Sequence, residues 1–468
     1  MQTRMRHRTS GRPGFSGRNS RHRRYLTGRA CTPRRGIAAI AIIGLAAAGL
    51  AACSSSNSGN ASGSGTLKII TWVNPPAVTA ITKIDNEFHK KYPNIKVQLQ
   101  TAANVNGPYA ALEETSVDAN TADIITNVLP VQPMPLSPSR NKESNFQYWA
   151  SNGVFQPLNG QPFLKNFTAD SINVESYKGQ TDALESGAYT EGVFYNKSIF
   201  AKYHLSPPAT YNQFLSVCAT LKAHGVTPLY DGLGDVGAPY MQFLYWPLMA
   251  DLWYPAAPNH NLALDLEKGT VKWTDPHFTT VMNEEKTIAR YLEPNYTGVP
   301  WEGMPGQFAH GAAAMLLDGS WDLSSVHQAN PGLQVGFFPL PGSNVASDNQ
   351  PFLKGDLAFA VLKNAPNKAA AMKWLAFFAT PGIYDQYVDI TGITPSESSG
   401  TYSTFSQTVM GHWFGKGINQ DVAFPALPTS GAYWDEENNW PAAQLDVVQG
   451  KMTPQQAEAD YQSGWQTG

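Results

Sequence analysis

The chain has 468 residues, 42% of them hydrophobic, with 33 Lys and Arg against 36 Asp and Glu for a formal net charge of −3. Eleven arginines and no acid fall in residues 1–35, so residues 53–468 carry 22 basic against 36 acidic side chains, a net of −14. That sign argues against nucleic acid or an anionic surface as partner, and the length exceeds what one compact core holds, which predicts two lobes.

After the arginine-rich start comes an uninterrupted small and apolar run, Ile37 to Ala52, ending at Cys53. This is the layout of a secretory signal, and Leu50-Ala51-Ala52-Cys53 matches a bacterial lipobox. Residues 1–52 therefore read as a lipoprotein signal peptide, with Cys53 acylated and holding the chain to the outer face of the cell membrane. A spanning anchor with an incidental cysteine is the alternative, although the run is at the short end of the ~17–25 residues a spanning helix needs. Arg34-Arg35 leaves general and twin-arginine export both open. Residues 53–65, rich in Ser, Gly, Asn and Ala, form a flexible tether. Beyond Cys53 only Cys218 remains, so neither a disulfide nor a cysteine metal site can form within the exported chain.

Leu67 to Trp72 is a predicted strand. Ile81, Ile84 and Phe88, set among Lys83, Asp85, Glu87, Lys90 and Lys91, give an amphipathic helix closed by Pro93. Ile95, Val97 and Leu99 alternate with Lys96, Gln98 and Gln100, so the fold opens as a βαβ unit. A helix around Tyr109 to Ala119 leads to a strand at Ala122 to Ile125 that ends at Thr126-Asn127. The Pro- and Ser-rich stretch from Val128 to Asn145 is a loop near a cleft rim. Gly192 to Tyr195 suits a buried strand, and Phe214, Leu215, Cys218 and Leu221 fall at helical spacing behind a Thr210/Gln213 capping box, with Gly225 as terminator. Tyr240 to Tyr254 is helix-like and interrupted by Pro247. Asp275-Pro276 opens a helix through Leu292 with Asp275 as N-cap. Ala312 to Leu317 is an apolar strand ending in Asp318-Gly319-Ser320-Trp321-Asp322. Gln334 to Pro341 and Gly355 to Leu362 are further strands, the second returning the chain to the first lobe. Asn367 to Thr380 is a helix with Ala370, Met372, Trp374, Leu375 and Phe378 inward. Thr453, Pro454 and Gln456 open a final helix with a second capping box.

The motifs of common chemistries are missing: no His-Glu-x-x-His, no Gly-x-Ser-x-Gly and no P-loop occurs. Gly232-Leu233-Gly234-Asp235-Val236-Gly237 fits a dinucleotide fingerprint in letters, but Pro239 follows at once and no βαβ unit surrounds it. The ten His are scattered without ligand spacing, so no metal is expected. Asp435-Glu436-Glu437 and Glu284-Glu285 read as solvated faces. Two distant carboxylates meeting in a cleft, as a glycosidase would need, stay open.

The wording from Thr190 to Pro228, Gly-Val-Phe-Tyr-Asn-Lys, then Phe-Ala-Lys-Tyr, then Pro-Pro-Ala-Thr-Tyr, closely resembles the family-1 extracellular solute-binding proteins of ABC importers, the maltose-binding-protein-like group. Phe88 to Val97, Ala122 to Ile125, Trp246-Pro247-Leu248, Gly319-Ser320-Trp321 and Val447 to Pro454 share the resemblance, which covers nearly all of residues 67–466. Departures fall at Asn127, where many members carry an acid or an aromatic, and at Ala183 to Ser186, where an Ala-Leu-Pro is usual. The resemblance implies an α/β, periplasmic-binding-protein-like (type II) fold: an N-lobe of residues 66–185 and 353–390, a C-lobe of residues 186–350 and 394–468, three hinge crossings and a ligand cleft. It implies a monomeric, non-enzymatic receptor without cofactor that closes on a carbohydrate and delivers it to permease subunits. Sugar rings need flat aromatic platforms with polar groups at their edges. Trp246, Trp321 and Trp434 are the expected platforms, Asn74, Asn127, Glu191 and Asp322 are the expected edge groups, and Tyr189 and Glu191 lie at the first crossing. A non-sugar solute such as a polyamine, or a secreted glycoside hydrolase, are the competing readings.

Overall fold

The computed structural model describes residues 65–103, 105–127, 145–232, 241–256, 262–300, 303–397, 405–413, 416–419 and 439–467. The expected signal, tether and lipidation site at Cys53, the loop after Asn127, most of the glycine-rich motif at 232–237, and Trp434 with its neighbouring acids lie outside them. No helix among the described residues is long and apolar enough to cross a membrane.

The chain opens with β1 (Gly65–Trp72), a helix at Pro75–Lys91, and β2 (Ile95–Ala102) parallel to β1. Asn74 caps the helix, its side-chain oxygen accepting from the Ala77 N–H at 3.4 Å, with proline in the first turn. It ends on His89, Lys90 and Lys91, which suit the negative end of the helix dipole. Ile81, Ile84 and Phe88 are fully buried on one face, each contributing about 1.5–3 kcal/mol. A second helix, Ala110–Asp118, leads to β3 (Ile124–Asn127), parallel to β1 on its other side. A two-strand hairpin, β4 (Ser176–Tyr177) and β5 (Gln180–Thr181), precedes β6 (Leu184–Glu185) and the ten-residue β7 (Gly187–Asn196).

The later strands are β8 (Leu229–Tyr230), β9 (Met315–Gly319), β10 (Val335–Phe338), β11 (Phe352–Gly355), β12 (Ala358–Val361), β13 (Thr394–Pro395) and β14 (Ile418–Asn419). They sort into two main sheets. One runs β2-β1-β3-β12-β6; the other runs β14-β11-β7-β9-β8, with β10 and β13 also on β7. Period-two alternation divides the core of the first sheet between its faces. Leu67, Ile69, Ile124 and Phe359 pack with Trp374, Phe378 and Tyr387, while Ile70, Ile125, Ala358 and Ala360 pack with Tyr109, Phe146 and Trp149. The second sheet holds a separate core under the helices Tyr211–Ala223, Trp246–Trp253, Pro276–Ile288 and Pro454–Thr467, with Cys218 buried in it.

Several local readings are refined by packing. The strand expected from Gly355 to Leu362 is two strands in different sheets, broken at Asp356-Leu357. The Asp275 side chain turns back to accept from the Lys272 N–H at 2.9 Å instead of capping its helix. Ala371 and Phe377 are buried where Met372 was expected, because the helix there packs across a wider arc. The solvated face expected at Glu284-Glu285 is overturned: Glu285 is fully buried, with no hydrogen-bond partner for either oxygen, and burial holds its carboxyl well above the usual range. Both capping boxes form, fully at Thr453/Gln456, where each side chain accepts from the other residue's N–H at 3.2 and 2.8 Å.

Candidate functional site

The chain passes between the two sheets three times, and the passages are tied together. The first, β6 to β7, turns at Ser186; the second, β11 to β12, turns at Asp356-Leu357; the third ends in β13, paired with the start of β7. The Ser186 N–H donates to Leu357 O at 2.7 Å and the Asp356 N–H to Gly187 O at 2.9 Å. Gly187 has φ +146°, and a Cβ there would lie 2.6 Å from both Thr394 O and Ile393 Cδ1, so no larger residue fits. Asp356 is buried, and its Oδ2 accepts from Ser186 Oγ at 2.9 Å and from the Tyr387 hydroxyl at 2.8 Å. Burial raises its carboxyl, and these hydroxyls oppose the rise. Tyr384 donates to Ser186 O at 2.6 Å and accepts from the Ser396 N–H at 2.8 Å, bringing the third passage onto the first.

Tyr189, the third residue of β7, extends this knot toward the first sheet. Its hydroxyl receives a hydrogen bond from Asn74 Nδ2 at 3.0 Å, and its ring stands edge-to-face on Trp321 at 5.0 Å and 89°. Trp321 also packs on Phe243 at 5.8 Å and borders the cores of both lobes. Asp322, next in sequence, acts electrostatically on Tyr189, and burial pushes its own carboxyl up to about 6. Asn74, Tyr189, Trp321 and Asp322 thus meet at the lobe junction.

The other expected residues are placed differently. Asn127 ends β3, buried and opposite Ala358; the strand register, Ile70 beside Ile125, sets it level with Trp72. Glu191 is buried mid-strand between Gly319 and Phe352. Trp246 opens its helix but is only 3% exposed, edge-on to Tyr245 inside the second core, so it offers no open face.

Four junction residues escape the motif reading. Trp72 is half-buried at the end of β1, with its ring 5.7 Å from Tyr109. Asp231 follows β8, Asp318 lies in β9, and Phe243 backs Trp321. For Trp72, Asp231 and Asp318 the signal is position: parallel strands of an open α/β sheet present ligands at their carboxyl ends. Burial pushes Asp231 up to about 7, and burial plus the Asp322 charge holds Asp318 well above the carboxylate range. Asp318 is fully enclosed, so this pair does not flank an open cleft as a glycosidase's carboxylates do. Among the described residues no three His, Cys, Asp or Glu are grouped to hold a metal ion. An open concavity of about 650 Å³, lined by Asn159, Ile172, Asn173, Ser176, Lys178 and Thr181, includes none of the junction residues.

Two α/β lobes joined by three stitched crossings, with aromatic and carboxylate groups at the joint, define a type II binding-protein architecture. Comparison with known proteins makes this specific. Residues 74–384 match the bacterial extracellular solute-binding protein family, and the chain belongs to it. It is 23% identical over 365 residues to the multiple sugar-binding protein of Streptococcus mutans serotype c, covering 76% of this chain and 81% of that protein. The apo form of RafE from Streptococcus pneumoniae superposes with a TM-score of 0.66 at 19% identity, covering 87% of this chain and 98% of its own. RafE in complex with raffinose does so at 0.67, also at 19% identity, covering 86% and 99%.

Proposed function

We propose that this protein is the lipid-anchored receptor of an ABC importer. It captures a mono- or oligosaccharide between its lobes and delivers it, chemically unchanged, to the permease. The lobes are residues 66–185 with 353–390 and residues 186–350 with 394–468, tethered through residues 53–65 to an acylated Cys53 on the outer face of the membrane. The observation that carries the reading is the junction itself: Trp321 borders both cores and meets Tyr189 edge-to-face, and the Tyr189 hydroxyl is tied to Asn74 of the other lobe. A ligand touching both sides of such a joint favours the closed form through its differential contacts, the hinge closure of periplasmic binding proteins. The names of the relatives, a multiple sugar-binding protein and a raffinose complex, support a saccharide over other solutes.

The sugar-edge groups in this reading are Asn74, Asn127, Glu191 and Asp322, and the platforms are Trp321, Tyr189, Trp246 and Trp434. Trp246 takes part only if its helix shifts on closure. A thermal-shift screen over mono- and oligosaccharides, raffinose and stachyose included, tests the assignment, because a ligand that binds the native state raises the melting midpoint. A concentration-dependent rise with at least one saccharide is expected. No rise with any saccharide, or turnover of a chromogenic glycoside, overturns it.

A further inference from the structure

The indole of Trp321 is held at the end of β9 by a contact that only glycine permits. Gly319, two residues earlier, has ordinary extended backbone, φ −99° and ψ 162°, which any residue adopts. The demand for glycine comes from space instead. The three atoms nearest to an added Cβ would all belong to the six-membered ring of Trp321, and all would be closer than non-bonded atoms can approach. The indole therefore folds back over Gly319 and rests on the strand. Tyr189 meets it edge-to-face at 5.0 Å, and Phe243 packs on it at 5.8 Å, tilted by 40°. Supported by backbone and by two other rings, Trp321 still keeps part of its surface open.

The loop that carries the ring is fixed independently. Ser320 is fully buried, and its Oγ accepts from the Thr190 N–H of β7 at 3.1 Å. Its carbonyl oxygen is met by the backbone of Gly392, which ends the helix Pro381–Thr391, so closely that a Cβ at Gly392 would lie 2.6 Å from it. The Thr190 and Thr394 hydroxyls share a hydrogen bond at 2.6 Å that closes the same corner. A methyl group added at Gly319 thus cannot be accommodated by moving the loop. The indole, turning about its two side-chain torsions, is what gives way.

We infer that Gly319 is a positioning residue for saccharide binding: it seats the Trp321 indole in the orientation in which the platform borders both lobes. The inference rests on the reading above that Trp321 is a platform and adds what aims it. A ring fixed before the sugar arrives spares binding the ordering cost that a swinging ring would bring.

Gly319→Ala in the full exported chain, labelled with 5-fluorotryptophan, tests the seat without any sugar. The fluorine signal of Trp321, identified by its loss in Trp321→Ala, is expected to move or split, while those of Trp273 and Trp374 in the two cores hold. The urea midpoint should change little, because a partly exposed ring turns aside and no backbone moves. Isothermal titration with raffinose, stachyose and every saccharide that raises the melting midpoint should show binding weakened about tenfold or more, the scale of one well-placed aromatic contact. In a Trp321→Ala background, Gly319→Ala should cause no further loss, which separates aiming the indole from any other role of the glycine. The inference is overturned if the Trp321 signal stays in place, if affinity is unchanged in Gly319→Ala, or if the two losses multiply when combined. Unchanged affinity in Gly319→Ala beside a clear loss in Trp321→Ala sinks this inference and leaves the platform reading standing. Full affinity in Trp321→Ala sinks both. If no saccharide binds the unmodified chain, the saccharide reading falls and takes the binding role of Gly319 with it.

Discussion

Gly187→Ala tests whether the crossings are locked as tightly as their geometry implies. The new methyl would meet Thr394 O and Ile393 Cδ1, each 2.6 Å away, at a backbone φ of +146° that side chains rarely adopt. The backbone conformation alone costs on the order of 1–3 kcal/mol. Relieving two contacts about 1 Å too short means shifting β13 from β7, an overpacking cost of about 1–3 kcal/mol more. The sum is about 2–6 kcal/mol, read as a lower urea midpoint with an unchanged slope. Gly225→Ala is the control: its φ is +71° but nothing lies within 4 Å of the added methyl, so only the left-handed cost of about 1–2 kcal/mol applies. If the two variants lose equal stability, or Gly187→Ala loses less than about 1 kcal/mol, the reasoning about the stitched crossings is wrong.

Burial raises the Glu285 carboxyl well above its ordinary 4.5, so the group is protonated in the folded chain and ionised when unfolded. Folding stability from this residue is therefore fully present below pH 4.5 and lost as pH rises toward the folded value. Glu285→Gln should match the wild type in acid and become the more stable of the two at neutral pH; equal stability at both pH values would contradict this. Trp246→Ala should cost about 3–5 kcal/mol of stability as a core deletion, against a negligible loss if the ring were a solvent-facing platform. Cys53→Ser should release the protein from membranes into the medium in cell fractionation, whereas retention would favour a spanning anchor.

Local rules served well where one signal dominated. Asn74 and Pro75 start their helix because a cap and a first-turn proline act within a few residues, and the alternation in β1 and β2 follows from each strand's own face. The site was legible only in part. Trp321 and Asp322 stand out in the sequence because their motif sits directly after a strand, whereas Asn74 and Tyr189 come from distant segments that the fold brings together. Asp231 and Asp318 carry no local mark; only the parallel pairing of β8 with β9 brings them together. Glu284-Glu285 misled for the converse reason. Adjacent helical acids look solvated until a second layer, here the helices Asn439–Val448 and Pro454–Thr467, covers one of them. Trp246 resembles a platform in its local wording, and its burial among Tyr245 and the second core is a tertiary outcome.

The central claim is that the two lobes close on a saccharide. Fluorophores on Lys90→Cys and Ala201→Cys, both exposed and on different lobes, would report the distance between them, with the fully buried Cys218 sheltered from labelling. Adding a saccharide that raises the melting midpoint should shorten that distance saturably, at the concentration where it binds. Saturable binding with the distance unchanged would contradict the hinge account.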